Sequence, residues 1–401
     1  MKILQICHRV PFPPLDGGNI AMMNMALSLE SSGAEVHQFC LNTSRHFTDM
    51  SNIPKELIEK LHMTATAIDT KVKVKDAFFN LFNKESYNIQ RFFSLKVERA
   101  LIALLKKYTF DYVQLETLFA SVYIKAIREY SSAKIILRAH NVEHIIWERL
   151  SHSEKNPAKR IYLNFLSRRL KNYELETLNF VDGLIPITNV DKKHFRKLGY
   201  KGPMMSLPLG VDLKEYEPWI NSKSELSLVH LASMDWLPNK EGVEWFLKSC
   251  WQAIHKEHPE LKLFLAGRNF PEEIIALKPK GVHFSGRVDN AFEYLSTKQI
   301  MIVPLLSGSG MRVKIIQGLA LGKTIISTTI GAEGIDVIDE KNILIADTPE
   351  EFAKAISRCL KDPKWCRSIG KNALELARTT YSNEAIGKLE MDFLGKNFGG
   401  S

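Results

Sequence analysis

Between Pro304 and Gly334 the chain reads P-L-L-S-G-S-G-M-R-V-K-I-I-Q-G-L-A-L-G-K-T-I-I-S-T-T-I-G-A-E-G, and two cations, Arg312 and Lys314, stand just past a loop without bulky side chains. A glycine-bearing loop that opens a helix leaves backbone N–H groups unpaired at the helix start. An arginine and a lysine beside them add fixed and mobile positive charge. The chemistry this could do is to hold an anion, most naturally a diphosphate. A strand, loop and helix with two basic residues also occur in any parallel α/β protein, so the local pattern alone leaves a structural role open. Gly17-Gly18 sit where a loop meets a helix, and His140-Asn141 directly follow an apolar run. Paired glycines let a phosphate approach the backbone, although a tight turn explains them as well. A histidine past the carboxyl end of a parallel strand is placed for a ligand, or it satisfies only its own turn.

These residues need strands and helices to hold them. Lys2–Val10 reads as a buried strand, Pro11–Gly18 as a loop, Ile20–Leu29 as a helix and Glu35–Leu41 as a second strand, which together make a βαβ unit. Short apolar runs at Asp111–Glu116, Lys134–Ala139 and Asp182–Thr188 continue the pattern, with a long charged helical region over about 142–177. A fresh α/β pattern starts at Leu226–Ala232. It passes Leu261–Ala266, which ends in Gly267-Arg268, and Val282–Phe284, which ends in Gly286-Arg287, and reaches the strand Gln299–Val303 that feeds the Pro304 loop. The helix after that loop has Val313, Ile316, Leu319 and Ala320 on one face. Residues 349–396 read as helical, before a Gly-Gly-Ser tail.

The 401 residues exceed what one hydrophobic core serves, so two domains are expected, and a 45% hydrophobic, 25% charged composition is that of a globular protein. No apolar run has the length of a membrane span, and the N-terminus lacks the core of a signal peptide, so a cytoplasmic protein is expected. The five cysteines, at 7, 40, 250, 359 and 366, have no metal spacing and read as buried thiols. The net charge of +9 suits an anionic ligand or lipid surface, while zinc-finger, zipper and aromatic RNA-binding signatures are missing, which argues against nucleic acid. Between His46 and Lys107, Phe78, Phe79, Phe82, Phe92 and Phe93 alternate with Lys71, Lys73, Lys75, Lys84 and Arg91. That mixture fits either a plain core or a peripheral contact with the inner membrane and a lipid-linked acceptor.

In order along the chain, Arg9-Val-Pro-Phe-Pro-Pro14, Gly17-Gly18, His140-Asn-Val-Glu143, Leu231–Phe246, Ala266-Gly-Arg268, Gly308–Lys323 and Ser327–Gly334 together carry a resemblance. The chain resembles the nucleotide-sugar-dependent glycosyltransferases of family 4, in a bacterial branch associated with polysaccharide assembly. The resemblance implies an α/β fold of GT-B architecture, two Rossmann-like parallel-sheet domains facing across a cleft. Residues 1–188 would form the acceptor domain, 189–225 a linker and 226–375 the nucleotide-sugar domain. Residues 376–401 would form a helix returning to the first domain, with a disordered tail. It further implies a retaining hexosyl transfer from a nucleoside diphosphate sugar to a glycan or lipid-linked acceptor, with no cofactor and no metal. His140, Arg312 and Lys314 are then the catalytic candidates. Gly17, Gly18, Asn239, Arg268, Gly286, Arg287, Ser309, Gly310, Met311 and Gln317 are the donor-binding ones.

The chain departs from the family at four places. Ser309 and Gln317 stand where the family carries two glutamates, and Met234 and Asn239 stand where many relatives have basic residues. Gln317 turns charge-assisted ribose contacts of about 1.5–3 kcal/mol into ordinary ones of about 1 kcal/mol, so weaker donor binding is expected. A non-catalytic partner that keeps the fold and binds a sugar or another transferase is the alternative. A nicotinamide-dependent oxidoreductase is disfavoured, because no strand is followed by the glycine spacing it needs.

Overall fold

The computed structural model describes residues 1–14, 16–71, 86–220, 222–308 and 310–399. The chain divides into two compact units, Met1–Gly210 with Ile386–Ser401, and Val211–Ala385. In the first, β1 (Lys2–Cys7), β2 (Glu35–Thr43), β3 (Thr64–Ile68), β4 (Tyr112–Glu116), β5 (Lys134–Ala139) and β6 (Gly183–Pro186) form one parallel sheet in the order β3-β2-β1-β4-β5-β6. In the second, β7 (Glu225–Leu231), β8 (Leu263–Ala266), β9 (Val282–Gly286), β10 (Lys298–Val303), β11 (Thr324–Ser327) and β12 (Leu344–Ile345) form another, in the order β12-β11-β10-β7-β8-β9. Each sheet therefore reverses its strand order once, between β1 and β4 and between β7 and β10. In such sheets the crevice for a ligand opens beyond the carboxyl ends of the strands at that reversal.

The inner strands β1, β4, β5 and β10 are almost wholly buried, as expected of parallel strands covered by helices on both faces, while the edge strands β3 and β9 are partly exposed. The helix Val313–Ala320 has only eight residues, too few to be stable alone. Burial of Ile315, Ile316 and Leu319 holds it, each contributing about 1.5–3 kcal/mol. A side chain at Gly318 would come within 2.9 Å of Met301 Sδ, so the helix lies directly on the sheet. Ile315 joins the core face while Val313 is only half-buried, which rotates that face slightly from the expected one.

Several expectations need correcting. The helical stretch after His140 is two helices, Glu143–Ser153 and Pro157–Thr177, because Pro157 can only open a helix and Asn156 caps it, accepting from Lys159 N. Residues 189–210, expected to be linker, belong to the first unit. Thr188 caps the helix Asn189–Lys197 through Asp191 N, and Met204 bridges to Leu184 of β6. The chain passes to the second unit at Val211, and Ile386 onward belongs to the first. β3 falls where the sequence looked irregular. The Phe- and Lys-rich segment lies largely outside the described residues, as do residues 400 and 401 of the tail. Of its described members, Phe92 is core and Phe93 is exposed. All five cysteines are buried and free.

Candidate functional site

In the first unit, polar side chains cross the sheet under the strand reversal. The parallel pairing sets Gln5 of β1 beside Gln38 of β2 and Gln114 of β4, and Glu116 of β4 beside Arg138 of β5. All five are essentially inaccessible to water, so their polar atoms gain from partners inside the protein, although Gln38 Oε1, Gln114 Oε1, Arg138 Nε and Arg138 Nη2 have none among the described residues. Gln38 Nε2 donates to Gln5 Oε1 at 2.7 Å, and Glu116 Oε1 accepts from Gln5 Nε2 at 2.8 Å and Gln114 Nε2 at 2.9 Å. Glu116 Oε2 accepts from Arg138 Nη1 at 3.1 Å and from His140 Nε2 at 2.6 Å. Burial alone would raise the Glu116 carboxyl, but the Arg138 charge and the His140 hydrogen bond outweigh it and hold it at about 2.

His140 therefore sits just past β5 with its Nε2 proton given to a fixed carboxylate, which leaves Nδ1 as the nitrogen available to accept a bond. Burial holds its basicity below the ordinary value, so the ring is a neutral, oriented imidazole at pH 7. Three residues on, Glu143 is buried at the start of its helix. Burial, reinforced by the Glu174 carboxylate, pushes its carboxyl up to about 8. Glu174 itself accepts from Glu143 N at 3.0 Å and from His144 Nδ1 at 2.5 Å and so closes the helix end.

In the second unit the strand reversal is lined by cations. Thr328 and Gly331 back the loop after β10, with Thr328 Oγ1 donating to Leu305 O at 2.5 Å. Gly308 and Gly310 have φ of 120° and 79°, values that favour glycine, and a Cβ at Gly308 would meet Trp236 and Arg312. The loop thus folds tightly around Arg312. That side chain is 4% exposed, donates to Gly310 O, and lies 5.4 Å from the Trp236 ring centroid. Arg312 precedes the helix, which begins at Val313 with no side-chain cap, so its first backbone N–H groups have no capping acceptor. Lys314 Nζ donates to Asn239 Oδ1 at 2.7 Å, and Asn239 Nδ2 donates in turn to Ser233 O at 2.8 Å. Burial, and then the Arg312 charge, bring the Lys314 ammonium down to about 7. His230 of β7 gives its Nδ1 proton to Ile302 O at 2.8 Å. Burial and the Lys314 charge lower its ring to about 3.

Residues 15–215 match Glycosyltransferase Family 4 and residues 225–362 match Glycosyl transferases group 1. The chain belongs to glycosyltransferase family 4. It is similar to an uncharacterised 44.6 kDa protein in the cps region of Klebsiella pneumoniae, 23% identical, with 96% of this chain and 97% of that one covered. Among solved structures it resembles sucrose-phosphate synthase from Thermosynechococcus elongatus, with a TM-score of 0.68 at 19% identity over 99% of this chain and 98% of that one. It also resembles Anabaena HepE in complex with UDP-glucose, with a TM-score of 0.64 at 13% identity over 99% of this chain and 100% of that one. Its fold class is that of the GT-B glycosyltransferases.

In this family 4 chain, Arg312, Lys314, Gly310 and Asn239 come together at one strand reversal, and Met311 lies in the same loop. Ser309 lies outside the described residues. Gln317, one turn into the helix, sits beside the Tyr216 hydroxyl. Arg268, Gly286 and Arg287 are exposed at the ends of β8 and β9, and no hydrogen bond joins them to Arg312 or Lys314 among the described residues. Gly17 and Gly18 open the helix Gly17–Ser31 as expected, but Asp16 caps it, with Oδ1 accepting from Gly18 N and Asn19 N, each at 3.0 Å. Arg9 pairs with that carboxylate, and its Nη2 lies 2.7 Å from where a Gly18 Cβ would be. The second glycine therefore makes room for Arg9, and its N–H is already bound.

Sequence reasoning passed over Glu116 and Arg138, although the signal was present: each of β1, β2, β4 and β5 carries a polar residue inside an otherwise apolar run. Among the described residues, one group has metal-ligand character, Glu35, His37 and His62, whose ligand atoms lie within 4.8 Å of one another. It lies at the opposite end of β2 from the crevice, and Lys2 Nζ already holds Glu35 at 2.9 Å.

Proposed function

We propose that this family 4 transferase moves a hexosyl group from a nucleoside diphosphate sugar to a glycan or lipid-linked acceptor in cell-surface polysaccharide assembly, with retention of anomeric configuration and without a metal. The observation that carries the reading is the pair of a buried Arg312 and a half-buried Lys314 at the β7–β10 reversal, beside an uncapped helix start and, among the described residues, with no carboxylate bonded to Lys314. Charge that develops on a departing diphosphate would meet fixed donors there, which stabilise it more than water does. His140 would accept a bond from a hydroxyl of the transferred sugar through Nδ1, held by Glu116 in the tautomer that leaves that nitrogen free.

The UDP-glucose complex of HepE and the cps-region relative support this reading. The test is a thermal-shift and calorimetric screen of the purified protein against UDP, GDP, ADP, TDP and CDP, each with and without EDTA. A ligand that binds only the native state raises Tm, so one nucleotide should do so, and its effect should survive EDTA. No shift with any nucleotide would transfer the reading to the non-catalytic partner, which Gln317 in place of an acidic residue otherwise favours.

A further inference from the structure

A second polar cavity, of about 160 Å³, opens in the first unit beyond the carboxyl ends of β1 to β3. Arg9, Arg45, His46 and Arg91 line it together with Thr43 and Phe119, and among the described residues no carboxylate does. Arg9 is committed to Asp16, but Arg45 and Arg91 have no ion pair among the described residues. The nearby Asp69 is also engaged, its Oδ1 accepting from Ser44 Oγ at 2.9 Å and Lys71 N at 3.1 Å. Two guanidinium groups thus share one cavity without an ion-paired counter-charge among the described residues. The Arg91 guanidinium is less basic than usual, first through burial and then through the charge of Arg45. Burial, then Arg9 and Arg45, do the same to His46.

The cavity also holds an unanswered hydroxyl. Thr43 is 2% exposed and its Oγ1 has no hydrogen-bond partner among the described residues. A buried hydroxyl without a partner costs about 1–3 kcal/mol, which an acceptor atom of a ligand would recover. One wall is apolar, with Phe119 stacked on Phe92 at 4.9 Å, and His8 links the cavity to the His140 side of the crevice through Thr117 Oγ1 at 3.3 Å. The volume is that of roughly five waters, enough for one charged group and part of the residue that bears it.

We propose that this cavity binds a carboxylate or phosphate group of the acceptor, so that the acceptor is an anionic saccharide. The two guanidinium groups offer paired donors that match either oxyanion, and the Thr43 hydroxyl adds a third. This rests on reading the chain as a transferase, and the experiment separates the two claims. The full-length protein is titrated by calorimetry at low salt with methyl glucuronide, glucose 1-phosphate, inorganic phosphate and neutral methyl glucoside. The nucleoside diphosphate from the screen above is titrated in parallel. The R45A/R91A double variant is compared throughout, and R45A alone, at an exposed position, serves if the double variant does not fold.

At least one sugar anion should bind saturably while methyl glucoside does not. The double variant should weaken that binding by about tenfold or more and leave the nucleotide affinity unchanged. Preference for the glucuronide identifies a carboxylate acceptor, and preference for the sugar phosphate a phosphorylated one. Absence of anion binding, or an anion affinity unmoved by the variants, overturns the proposal. Inorganic phosphate binding as tightly as either sugar anion marks a bare ion site and overturns the acceptor assignment. A variant that loses the nucleotide instead assigns the cavity to the donor and also overturns it. A protein that binds a sugar anion but no nucleotide keeps the cavity and defeats the transferase reading.

Discussion

The two units share one strand order, yet their strand reversals are built oppositely. In the first, a buried carboxylate, Glu116, has four donor contacts, with its charge matched by Arg138 and its second oxygen orienting His140. In the second, Arg312 and Lys314 stand together at the loop, and among the described residues Lys314 has a neutral amide for its hydrogen-bond partner. In the first site the Glu116 charge is matched within the protein, whereas in the second Lys314 is desolvated beside another cation. A charge already matched within the protein positions a group, while a desolvated cation gains most from a bound anion.

The largest expected effect is therefore on stability in the first unit. Glu116→Gln keeps the shape but leaves Arg138 buried without a counter-charge, and should cost about 3–5 kcal/mol in urea unfolding. A loss below about 1 kcal/mol would show that the network is not a completed charge pair. The pH dependence has a definite sign. The folded value of Glu116, about 2, lies below its ordinary 4.5, so its contribution is fully present above that ordinary value and is lost as pH falls toward 2. Wild-type protein should lose its advantage over the variant in that window. Glu390, buried near Arg138 and pushed up to about 8, works in the opposite direction, but it is common to both proteins.

The matching change in the second unit should do the reverse. Arg312→Ala should lower kcat/KM on the order of a hundredfold, about 2.7 kcal/mol, with the fold intact. Lys314→Met removes an ammonium whose folded value lies below its ordinary 10.5, a group that costs stability at neutral pH, so Tm should hold or rise while diphosphate affinity falls. A Lys314→Met protein that unfolds as readily as Glu116→Gln would erase the distinction between the two sites.

These residues were not equally legible in the sequence. The placement of Arg312 and Lys314 at a loop opening a helix was readable because a glycine loop between an apolar strand and a helix announces itself locally. The fold class was readable for the same reason, strand by strand. Glu116 and Arg138 were not recognised, because their partnership depends on which strands become neighbours, and β4 and β5 are separated by a 3-10 turn and a helix. The role of Gly17-Gly18 also depended on a distant side chain, Arg9, folding back across the second glycine. The Asn189–Lys197 helix was mistaken for linker because only one of its residues, Phe195, is fully buried, which leaves almost no periodic apolar signal.

A smaller effect follows from the Lys314 ammonium titrating at about 7. If diphosphate binding fixes the charged form, the lysine's contribution to affinity should be level below about pH 6 and fall above pH 7 by up to about tenfold per unit, with proton uptake rising toward one per ligand bound above pH 7. Calorimetry in buffers of different ionisation enthalpy measures that proton directly. Lys314→Arg should flatten the profile because arginine stays charged. A wild-type profile as flat as that of the variant would mean that the ammonium is already charged in the empty protein.

The smallest effect concerns Gln317, where the second unit lacks the family's acidic residue. A carboxylate there would accept charge-assisted bonds in place of ordinary ones, so Gln317→Glu should tighten nucleotide binding by about 1 kcal/mol, or roughly fivefold. The added charge lies one turn from Lys314, so the same variant should also raise the Lys314 ammonium and shift the pH profile of binding upward. The two readouts separate ribose recognition from electrostatic compensation. Tighter binding of the diphosphate together with tighter binding of the nucleoside alone assigns the gain to the ribose. A shifted profile with unchanged nucleoside affinity assigns it to Lys314, and the second unit would then be limited by its unmatched charge more than by its missing glutamate.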